Sequence, residues 1–567
     1  MLRKLLIVSG VFGVLAGTAA AQPRTLLMPG VTYEQDVEFT LHGPVVVNVI
    51  EGPKPSGLYA LQPVLARGLV QGRERLTAIE RRLSPGATIA GVNGDLFSGG
   101  GRPNGLFLQD RVMQTRPLGS RSSLGIDAGG NLSVDRVAFV GDWRGSGPRR
   151  SLNGLNEPAG TGGTSLFTPA WGGPTPANRD SVEAVLSPFP PTTANTDLTA
   201  KVVQVYQGGN HPIPPGGAIL VARGNAATRL SAEAAVGGTV TARVILPSPL
   251  SAAIGGIGGG PVLVRNGKPV FRSNEAFATS WLVPRTPRTA VGQRADGRVL
   301  LVAVDGGATG YSSGMTNFEL AQELVRLGAV TAMGLDSGAS TTMAFDGALL
   351  NRPSTGERSI ADALLLLYYG VQAPPPSEEV LSPNGDAAGE RQNLAYRLVR
   401  PSTVNATLAG PEGTKVTLDS GDRQAGLYKF TWKGVDADGK TLPEGRWTWD
   451  VTAVDDLGRS SSAERSFSLN TTLKSLTVEP SVLRRGSQVQ IGVDLIRPAR
   501  LTVKVESSRG VVLRTLANRA ASTGHTAVAW DGRLAGGRRA PAGTYVVVVS
   551  ATNQIGTADL TQSIRAR

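Results

Sequence analysis

The stretch Val299-Leu-Leu-Val-Ala-Val-Asp-Gly-Gly307 has six consecutive apolar residues and stops at an aspartate and two glycines. A continuous apolar run of this length is typical of a strand that is buried on both faces. The next stretch, Thr316-Asn-Phe-Glu319, is a capping box that starts a helix. Val330-Thr-Ala-Met-Gly-Leu335 then forms a second apolar strand, which ends at Asp336. This order predicts a β-α-β unit with parallel strands and a right-handed connection.

Each strand of this unit is followed by an aspartate. Parallel strands end at the same edge of a sheet, so we expect Asp305 and Asp336 at the carboxyl edge, where open α/β sheets bind ligands. Two carboxylates there can divide acid and base roles, or they can coordinate a hard cation. An aspartate after a strand is also a common turn former. Glu319 fits a catalytic role and a purely helix-capping role equally well.

The composition excludes several classes of site. The 567 residues imply about three to five domains. Cysteine is absent, which excludes disulfides, thiol nucleophiles and cysteine-bound metals, and the three histidines lie far apart. The 73 glycines and 37 prolines indicate turn-rich domains with many short strands. The net charge of +13 is spread in runs of no more than two basic residues and aromatic content is 5%, so we expect a diffusely basic surface that does not bind nucleic acid.

The N-terminus has the form of a secretory signal peptide over residues 1–21. Met1 to Lys4 is a short basic region, Leu5 to Leu15 is apolar, and Ala19-Ala-Ala21 is a cleavage site. An uncleaved anchor is the alternative. No other stretch reaches about 18 apolar residues, so we expect no transmembrane segment after cleavage. The predicted location is exported: periplasmic, cell-surface or secreted.

A proline-rich segment and an internal repeat define the domain plan. Pro374-Pro-Pro376 marks a stiff linker over 372–377 with few contacts across it, after a domain over 22–371. Trp432-Lys-Gly recurs 98 positions later as Trp530-Asp-Gly, and a Pro-x-Gly turn before an aromatic strand recurs at the same offset. These features predict two β-sandwiches over 378–470 and 474–567, with the tryptophans in their cores. The pair resembles the Ig-like module of flagellar hook-capping proteins, which implies a spacing or envelope-tethering role.

Two further motifs leave alternatives open, and a third resembles a catalytic motif whose chemistry the sequence argues against. Ser382-Pro-Asn-Gly-Asp386 fits an Asx-type turn or a calcium loop. The glycine-rich loop 255–260 would let backbone N–H groups approach an anion, although turns use glycine too. Gly310-Tyr-Ser-Ser-Gly314 matches the nucleophile elbow of serine hydrolases, but the only later histidine is His525, which argues against that chemistry.

A series of short motifs in the first domain resembles the phosphodiester glycosidase family over roughly residues 30–371. The motifs are, in chain order, Asn93-Gly-Asp95 with Phe97, Arg102-Pro-Asn-Gly105, Gly258-Gly-Gly-Pro261, Arg288-Thr-Ala-Val-Gly292, Asp305-Gly306, Gly314-Met-Thr316, Leu335-Asp336, Ser340-Thr-Thr-Met343 and Glu357-Arg358. Two positions depart from the family pattern, Gly307 and Ser337.

The resemblance implies a site and a reaction. The implied catalytic residues are Asp305, Asp336 and Glu319; the implied substrate-binding residues are Asn93, Asp95, Arg288, Gly306, Thr316, Ser340, Arg358, Gly259 and Gly260. Arg288 and Arg358 are expected to bind phosphate, because a guanidinium matches it bidentately. Asn93, Asp95 and Ser340 are expected to hold sugar hydroxyls or share a cation. We expect these residues to converge on one cleft.

The sequence therefore predicts a multidomain fold, an α/β (α+β) phosphodiester-glycosidase-like domain followed by two all-β Ig-like sandwiches. The predicted function is a secreted glycoside hydrolase that cleaves a sugar-1-phosphate diester on envelope or extracellular glycans and exposes a phosphomonoester. The alternative is a non-catalytic envelope or glycan-binding protein on a decayed enzyme domain, motivated by Gly307 and Ser337. The expected partners are a glycan or sugar-phosphate polymer and, through the Ig-like modules, the cell envelope. No cofactor is required by the sequence; a divalent cation such as calcium stays open.

Overall fold

The computed structural model describes residues 24–383, 389–507 and 510–567. The predicted signal peptide and positions 384–386 of the Ser382–Asp386 motif lie outside these residues. Strands dominate the fold, as the glycine and proline content indicates. None of the helices in the described parts of the chain is long and apolar enough to cross a membrane.

An eight-stranded antiparallel sheet forms the centre of the first domain. Its order from one edge to the other is Thr25–Met28, Val31–Thr40, Gly43–Gly52, Val299–Val304, Arg288–Arg294, Ala329–Gly334, Val262–Arg265 and Lys268–Pro269. The predicted apolar strand Val299–Val304 is buried at every position.

The predicted β-α-β unit needs one correction. Strand Arg288–Arg294 lies between Val299–Val304 and Ala329–Gly334 and pairs antiparallel with both. The two predicted strands therefore run in the same direction without being neighbours, because the preceding strand first folds back as a hairpin. The inference about the edge still holds: both strands end on one side of the sheet, with Asp305 and Asp336 immediately after them. Two interstrand spacings separate their backbones by roughly 10 Å.

Helix Asn317–Arg326 covers one face of the central sheet. It starts with the predicted capping box: the Thr316 hydroxyl accepts from the Glu319 N–H, and the Glu319 carboxylate accepts from the Thr316 N–H. Leu320, Ala321 and Leu324 pack into the core of this face. Gly328 follows the helix with a φ of +88°, a left-handed conformation that favours glycine. The other α-helices are Leu76–Leu83, Asn225–Glu233 and Thr279–Leu282.

Three more sheets complete the first domain. The first has five strands: Ala348–Leu349, Met343–Phe345, Thr88–Asn93, Asp362–Tyr368 and Tyr59–Leu65. The second also has five strands: Val112–Thr115, Phe107–Gln109, Ala253–Gly258, Ser123–Asp127 and Leu132–Asp135. The third has eight: Arg150–Ser151, Val140–Arg144, Thr239–Ile245, Leu198–Gln207, Ser181–Leu186, Ala218–Arg223, Thr164–Phe167 and Gly154–Leu155. Region 150–215, which its composition predicts as loops and short strands, contributes four strands of two to six residues and one of ten residues, Leu198–Gln207, to this sheet.

The C-terminal part consists of two β-sandwiches, as the repeat predicts. The first joins Val380–Leu381, Ser460–Leu469, Gly445–Asp455, Ser402–Ala409 and Lys415–Arg423 to the pair Gln392–Leu398 and Gly426–Trp432. The second joins Leu473–Glu479, Val489–Leu495 and Gly524–Trp530 to Val482–Leu483, Gly556–Ala566, Gly543–Asn553, Ala499–Ser507 and Val512–Ala521. Trp432 and Trp530 are buried in equivalent cores, which supports packing as the reason for the repeat.

The segment at the proline run is not a free spacer. Val371 and Ala373 belong to the core of the first sandwich, and Gln372 exchanges backbone hydrogen bonds with Arg397. The Arg397 guanidinium reaches back to Asp346 and to the Thr88 hydroxyl of the first domain. The expectation that few contacts cross this junction is therefore wrong: residues just before the prolines carry apolar side chains that the sandwich buries. The exact domain boundaries stay a prediction.

These contacts predict unequal effects of two truncations. A protein over 22–472, which keeps the first sandwich, should melt its first domain at the same temperature as the longer protein. A protein over 22–377 should melt several degrees lower, because Val371 and Ala373 lose their apolar cover. Differential scanning calorimetry of the three proteins measures this. Equal first-domain melting temperatures in both truncations would contradict it.

Candidate active site

A buried asparagine fixes the position of the site. Asn93 ends strand Thr88–Asn93 and is 0% exposed. Its Oδ1 accepts hydrogen bonds from the Thr289 hydroxyl (2.8 Å) and the Thr342 N–H (3.0 Å), and its Nδ2 donates to the Asp336 carbonyl (2.8 Å). Asn93 therefore ties two sheets together at the strand ends. Because it is fully buried and its oxygen already accepts two hydrogen bonds, the expectation that it holds sugar hydroxyls is wrong.

Asp336 is the partly exposed carboxylate at this edge. Its Oδ1 accepts from the Ser337 N–H at 2.9 Å. Burial raises the pKa of Asp336 above its ordinary value, while a hydrogen bond from Ser340 and the nearby Arg358 charge oppose the rise. A carboxylate with a raised pKa and access to solvent is suited to proton transfer.

Arg358 supplies an exposed positive charge beside Asp336. Its Nη1 donates to the Ser340 hydroxyl at 3.2 Å, and its guanidinium lies over the Phe97 ring at 5.0 Å from the centroid. Ser340 itself is fully buried. The exposed edge of the guanidinium is free to bind an anion, since a cation over an aromatic face keeps its in-plane donors.

Two carboxyl groups lie beneath Asp336. Asp95 and Asp362 are 3% and 0% exposed, and the Asp95 N–H donates to Asp362 Oδ1 at 2.8 Å. Asp95 Oδ1 accepts from Leu96 N–H and Oδ2 from Gly105 N–H. Burial raises the pKa of Asp95 to about 7, with Asp336 adding to the rise. Burial and the charge of Asp95 raise the pKa of Asp362 well above its ordinary value.

Asp305 occupies a different environment, although it also follows a strand. It is 1% exposed, and its carboxylate accepts from Asn351 Nδ2 (2.8 Å), Asn48 Nδ2 (3.2 Å), the Tyr311 hydroxyl (3.0 Å) and the Arg352 N–H (3.2 Å). Burial raises the pKa of Asp305 while these bonds oppose the rise. With its lone pairs already occupied, Asp305 is suited to holding the loop after its strand and not to proton transfer.

Arg288 does not face the site. It is fully buried, its Nε donates to Met315 O (2.9 Å), and its Nη atoms donate to the carbonyls of Trp281, Leu282 and Pro284. Burial lowers the pKa of Arg288 to about 10. Its donors anchor the segment around helix Thr279–Leu282, so the expected phosphate contact is wrong. The sequence pattern is the same for both roles: an arginine at the start of a strand can bind phosphate or can donate to backbone carbonyls.

Glu319 and Thr316 have structural partners. Besides the capping box, Glu319 Oε1 accepts from Arg285 Nη2. Of the two open roles for Glu319, the structure shows the cap. Both side chains lie at the start of helix Asn317–Arg326.

The glycines of segment 255–260 allow neighbouring parts of the chain to pack closely. Residues 255–258 lie in strand Ala253–Gly258, and a Cβ at Gly258 would lie 2.4 Å from Asp95 Oδ2. A Cβ at Gly259 would lie 2.6 Å from Gly334 O, Gly260 donates its N–H to Gly334 O, and Gly306 packs on Pro287. The hydroxyl of Ser312 in the rejected elbow motif donates to Asp305 O and accepts from Val46 N–H, which satisfies it locally.

The predicted residues therefore fall into three groups. Asn93, Asp95, Asp336, Ser340 and Arg358 come together; Asp305 and Gly306 lie in a neighbouring cluster; and Arg288, Thr316 and Glu319 lie around the helix start. Within the described residues, no group of three or more metal-ligating side chains is placed to hold a metal ion. Sequence reasoning missed Asp362, although an acid inside the apolar run 360–367 is itself a signal of a buried polar role.

Comparisons with known proteins agree with this domain order. Residues 192–367 match the model of the phosphodiester glycosidase family, and residues 385–456 and 480–554 match that of the FlgD Ig-like domain. The chain therefore has a domain similar to the phosphodiester glycosidase family, matched over residues 192–367, followed by two FlgD-type Ig-like domains. The predicted resemblance is confirmed.

Individual relatives cover only parts of the chain. The SPbeta prophage-derived uncharacterized protein YomE of Bacillus subtilis is 36% identical over 109 residues, 19% of this chain and 16% of that protein. The basal-body rod modification protein FlgD of Salmonella typhimurium is 29% identical over 144 residues, 24% of this chain and 58% of FlgD. The crystal structure of a hypothetical protein from Synechocystis matches with a TM-score of 0.50 and 27% identity, over 61% of this chain and 64% of that one. The chain thus spans less than two thirds of each of these relatives.

The anchoring role of Arg288 predicts a stability effect. Arg288→Lys should lower the melting temperature of the first domain by about 5 °C or more, because one ammonium cannot reach carbonyls that a planar fork reaches. Arg294→Lys is the matched control, since its side chain is 36% exposed in an ion pair, and it should change stability by less than about 1 kcal/mol. Thermal unfolding followed by circular dichroism measures both. An unchanged melting temperature for Arg288→Lys would contradict the anchoring role.

The saturated carboxylate of Asp305 predicts a second effect. Asp305→Asn should destabilise the first domain by about 1–3 kcal/mol, because the new amide N–H group faces donors that need an acceptor. Asp296→Asn, at a position 54% exposed, should change stability by less than about 0.5 kcal/mol. Denaturant unfolding compares the two. If Asp305→Asn is as stable as the wild type, the carboxylate is not holding its neighbours.

Proposed function

We propose that the first domain hydrolyses the bond between the anomeric carbon of a sugar and the oxygen of a phosphodiester. The observation that carries the proposal is the juxtaposition of the partly exposed Asp336 carboxylate with the exposed Arg358 guanidinium, in a domain that matches the phosphodiester glycosidase family. These two groups fit the two demands of the reaction. One is proton transfer at water, and the other is neutralisation of negative charge on phosphate.

In the proposed reaction, Arg358 binds the phosphate oxygens of the diester. Asp336, in its ionised form, accepts a proton from water as the water oxygen attacks the anomeric carbon. The carbon–oxygen bond to phosphate breaks with its electron pair staying on that oxygen, so the products are the free sugar and a phosphomonoester. Asp336 then releases the proton to solvent. The transition state has oxocarbenium character, which the negative charge of Asp336 stabilises.

The location and partners belong to the same proposal. The basic N-terminal segment with its cleavage site, together with FlgD-type domains, supports an exported protein of the periplasm, cell surface or medium. The substrate is then a sugar-phosphate polymer or glycan of the envelope or its surroundings. The two Ig-like sandwiches tether or space the first domain there. No cation is needed for the steps above.

The test is turnover of a panel of sugar-1-phosphodiesters, with release of both phosphomonoester and reducing sugar as the readout. Asp336→Asn should abolish turnover, since the amide cannot accept the proton. Arg358→Ala should reduce turnover at least about 10-fold, because the phosphate loses its counter-charge. Arg272→Ala is the matched control, since Arg272 also lies over a phenylalanine ring, that of Phe271, but away from Asp336. Binding of the panel without turnover by the wild-type protein would favour the non-catalytic alternative.

The pH profile gives an independent prediction. Because the base form of Asp336 is required and its pKa is raised, the acidic limb of kcat/KM should lie above the ordinary aspartate value of about 4. The Arg358 charge lowers the pKa of Asp336, so Arg358→Ala should move this limb to still higher pH. Initial rates between pH 3 and 9 measure the shift. A limb at lower pH in Arg358→Ala would exclude Asp336 as the titrating base.

A further inference from the structure

Asp362 lies directly beneath the site, and its environment is unusual for an acid. It is 0% exposed at the start of strand Asp362–Tyr368. Its Oδ1 accepts from the Asp95 N–H at 2.8 Å, and its backbone carbonyl accepts from the Gly94 N–H at 2.9 Å. Through these two bonds it holds the turn that follows Asn93. Its Oδ2 is buried and has no hydrogen-bond partner.

The charges that face Asp362 are mostly negative. Asp95 and Asp336 are the acids that act on it. Asp95 follows strand Thr88–Asn93, which pairs with the Asp362 strand, and Asp336 follows strand Ala329–Gly334 of the central sheet. Two basic groups act on those acids: Arg121 lowers the pKa of Asp95, and Arg358 lowers that of Asp336. Gly94 and Ile257 also border this carboxyl group: a Cβ on Gly94 would lie 2.5 Å from Asp362 Oδ1 and 2.8 Å from Ile257 Cδ1.

An ionised carboxylate cannot be stable in these surroundings. A buried charge without a counter-ion costs several kcal/mol, and an unpartnered oxygen removes the hydrogen bonds that might reduce that cost. A neutral carboxylic acid leaves only one hydroxyl unpartnered, which costs much less. The same oxygen that accepts from Asp95 N–H can still do so in the neutral acid.

We propose that Asp362 serves the site as a neutral carboxylic acid, a positioning residue that holds the Asn93–Asp95 turn beneath Asp336 without adding charge to it. This inference rests on the proposed function for its catalytic consequence. Its protonation state does not depend on that function. The raised pKa values of Asp362 and Asp95 agree with a pair that retains a proton near neutral pH.

The isosteric variant Asp362→Asn tests the proposal directly. An amide has the shape and the neutral charge of the carboxylic acid and keeps the acceptor for Asp95 N–H. We expect kcat and KM within about 2-fold of the wild type and an unchanged acidic limb. Asp362→Ala, which removes the acceptor and leaves a void, should lower kcat at least about 10-fold by displacing the turn. If Asp362→Asn loses activity as severely as Asp362→Ala while remaining folded, the carboxyl group acts as an acid or an ion and the proposal is wrong.

Stability against pH provides a readout that needs no substrate. An acid whose folded-state pKa is raised stabilises the fold in its neutral form, and this contribution is lost as pH rises through the folded-state pKa. The wild-type melting temperature should therefore fall as pH rises from about 4, the ordinary aspartate value, through the raised folded-state pKa of Asp362, and the fall should be shallower in Asp362→Asn. Infrared difference spectra at pH 7 should show a protonated-carboxyl band in the wild type that Asp362→Asn lacks. Equal slopes and no such band would overturn the proposal even if turnover is found; no turnover in any protein, with these two results as expected, would contradict only the proposed function.

Discussion

The side-chain amide of Asn93 holds together the part of the first domain on which the site depends. It connects the end of a strand in one sheet to strand Arg288–Arg294 of the central sheet and to the backbone of Asp336. The side chain at position 93 must accept two hydrogen bonds and donate one, within a core that excludes water. Aspartate lacks the donor and leucine lacks both, so either would leave buried polar groups unpaired at a cost of about 1–3 kcal/mol each. Because the Asp336 carbonyl accepts this bond, the backbone of Asp336 is held beside the end of strand Thr88–Asn93.

The aspartates around this bond show that position after a strand does not decide a role. Asp305 is followed by a loop that returns Tyr311 to its carboxylate, and Asn48 and Asn351 approach it from other strands and loops. Asp336 is followed by the short turn Gly338–Ser340, which supplies fewer hydrogen-bond donors to its carboxylate. The Asp336 carboxylate is therefore left within reach of the Arg358 charge. Burial raises the pKa of both. What distinguishes them is the number of donors that the surrounding chain supplies.

The sequence predicts well whatever depends on neighbouring residues. The capping box at Thr316, the left-handed Gly328, the apolar strands and the two sandwiches with their repeated tryptophans all follow from local pattern. It predicts poorly what depends on distant partners. Nothing near Arg288 reveals that backbone carbonyls surround it, and the insertion of its strand between two others is a matter of topology. The apolar residues before the proline run likewise take their role from a sandwich that begins later in the chain.

Asp336 is the accessible carboxylate of the proposed site, and this limits the kind of bond that the site can break. When an ordinary glycoside is cleaved, the leaving alkoxide must be protonated, which requires a second, acidic carboxyl group near the first. Asp305 has its lone pairs occupied, and Asp95 and Asp362 are enclosed beneath Asp336, so none of them can reach a leaving group. A phosphomonoester needs no such proton, because its second pKa is about 6 and it leaves as a stable dianion at neutral pH. Arg358 further stabilises that dianion. In the proposed reaction, this arrangement selects the substrate through the leaving group: a sugar attached to phosphate can depart, and the same sugar attached to an alcohol cannot.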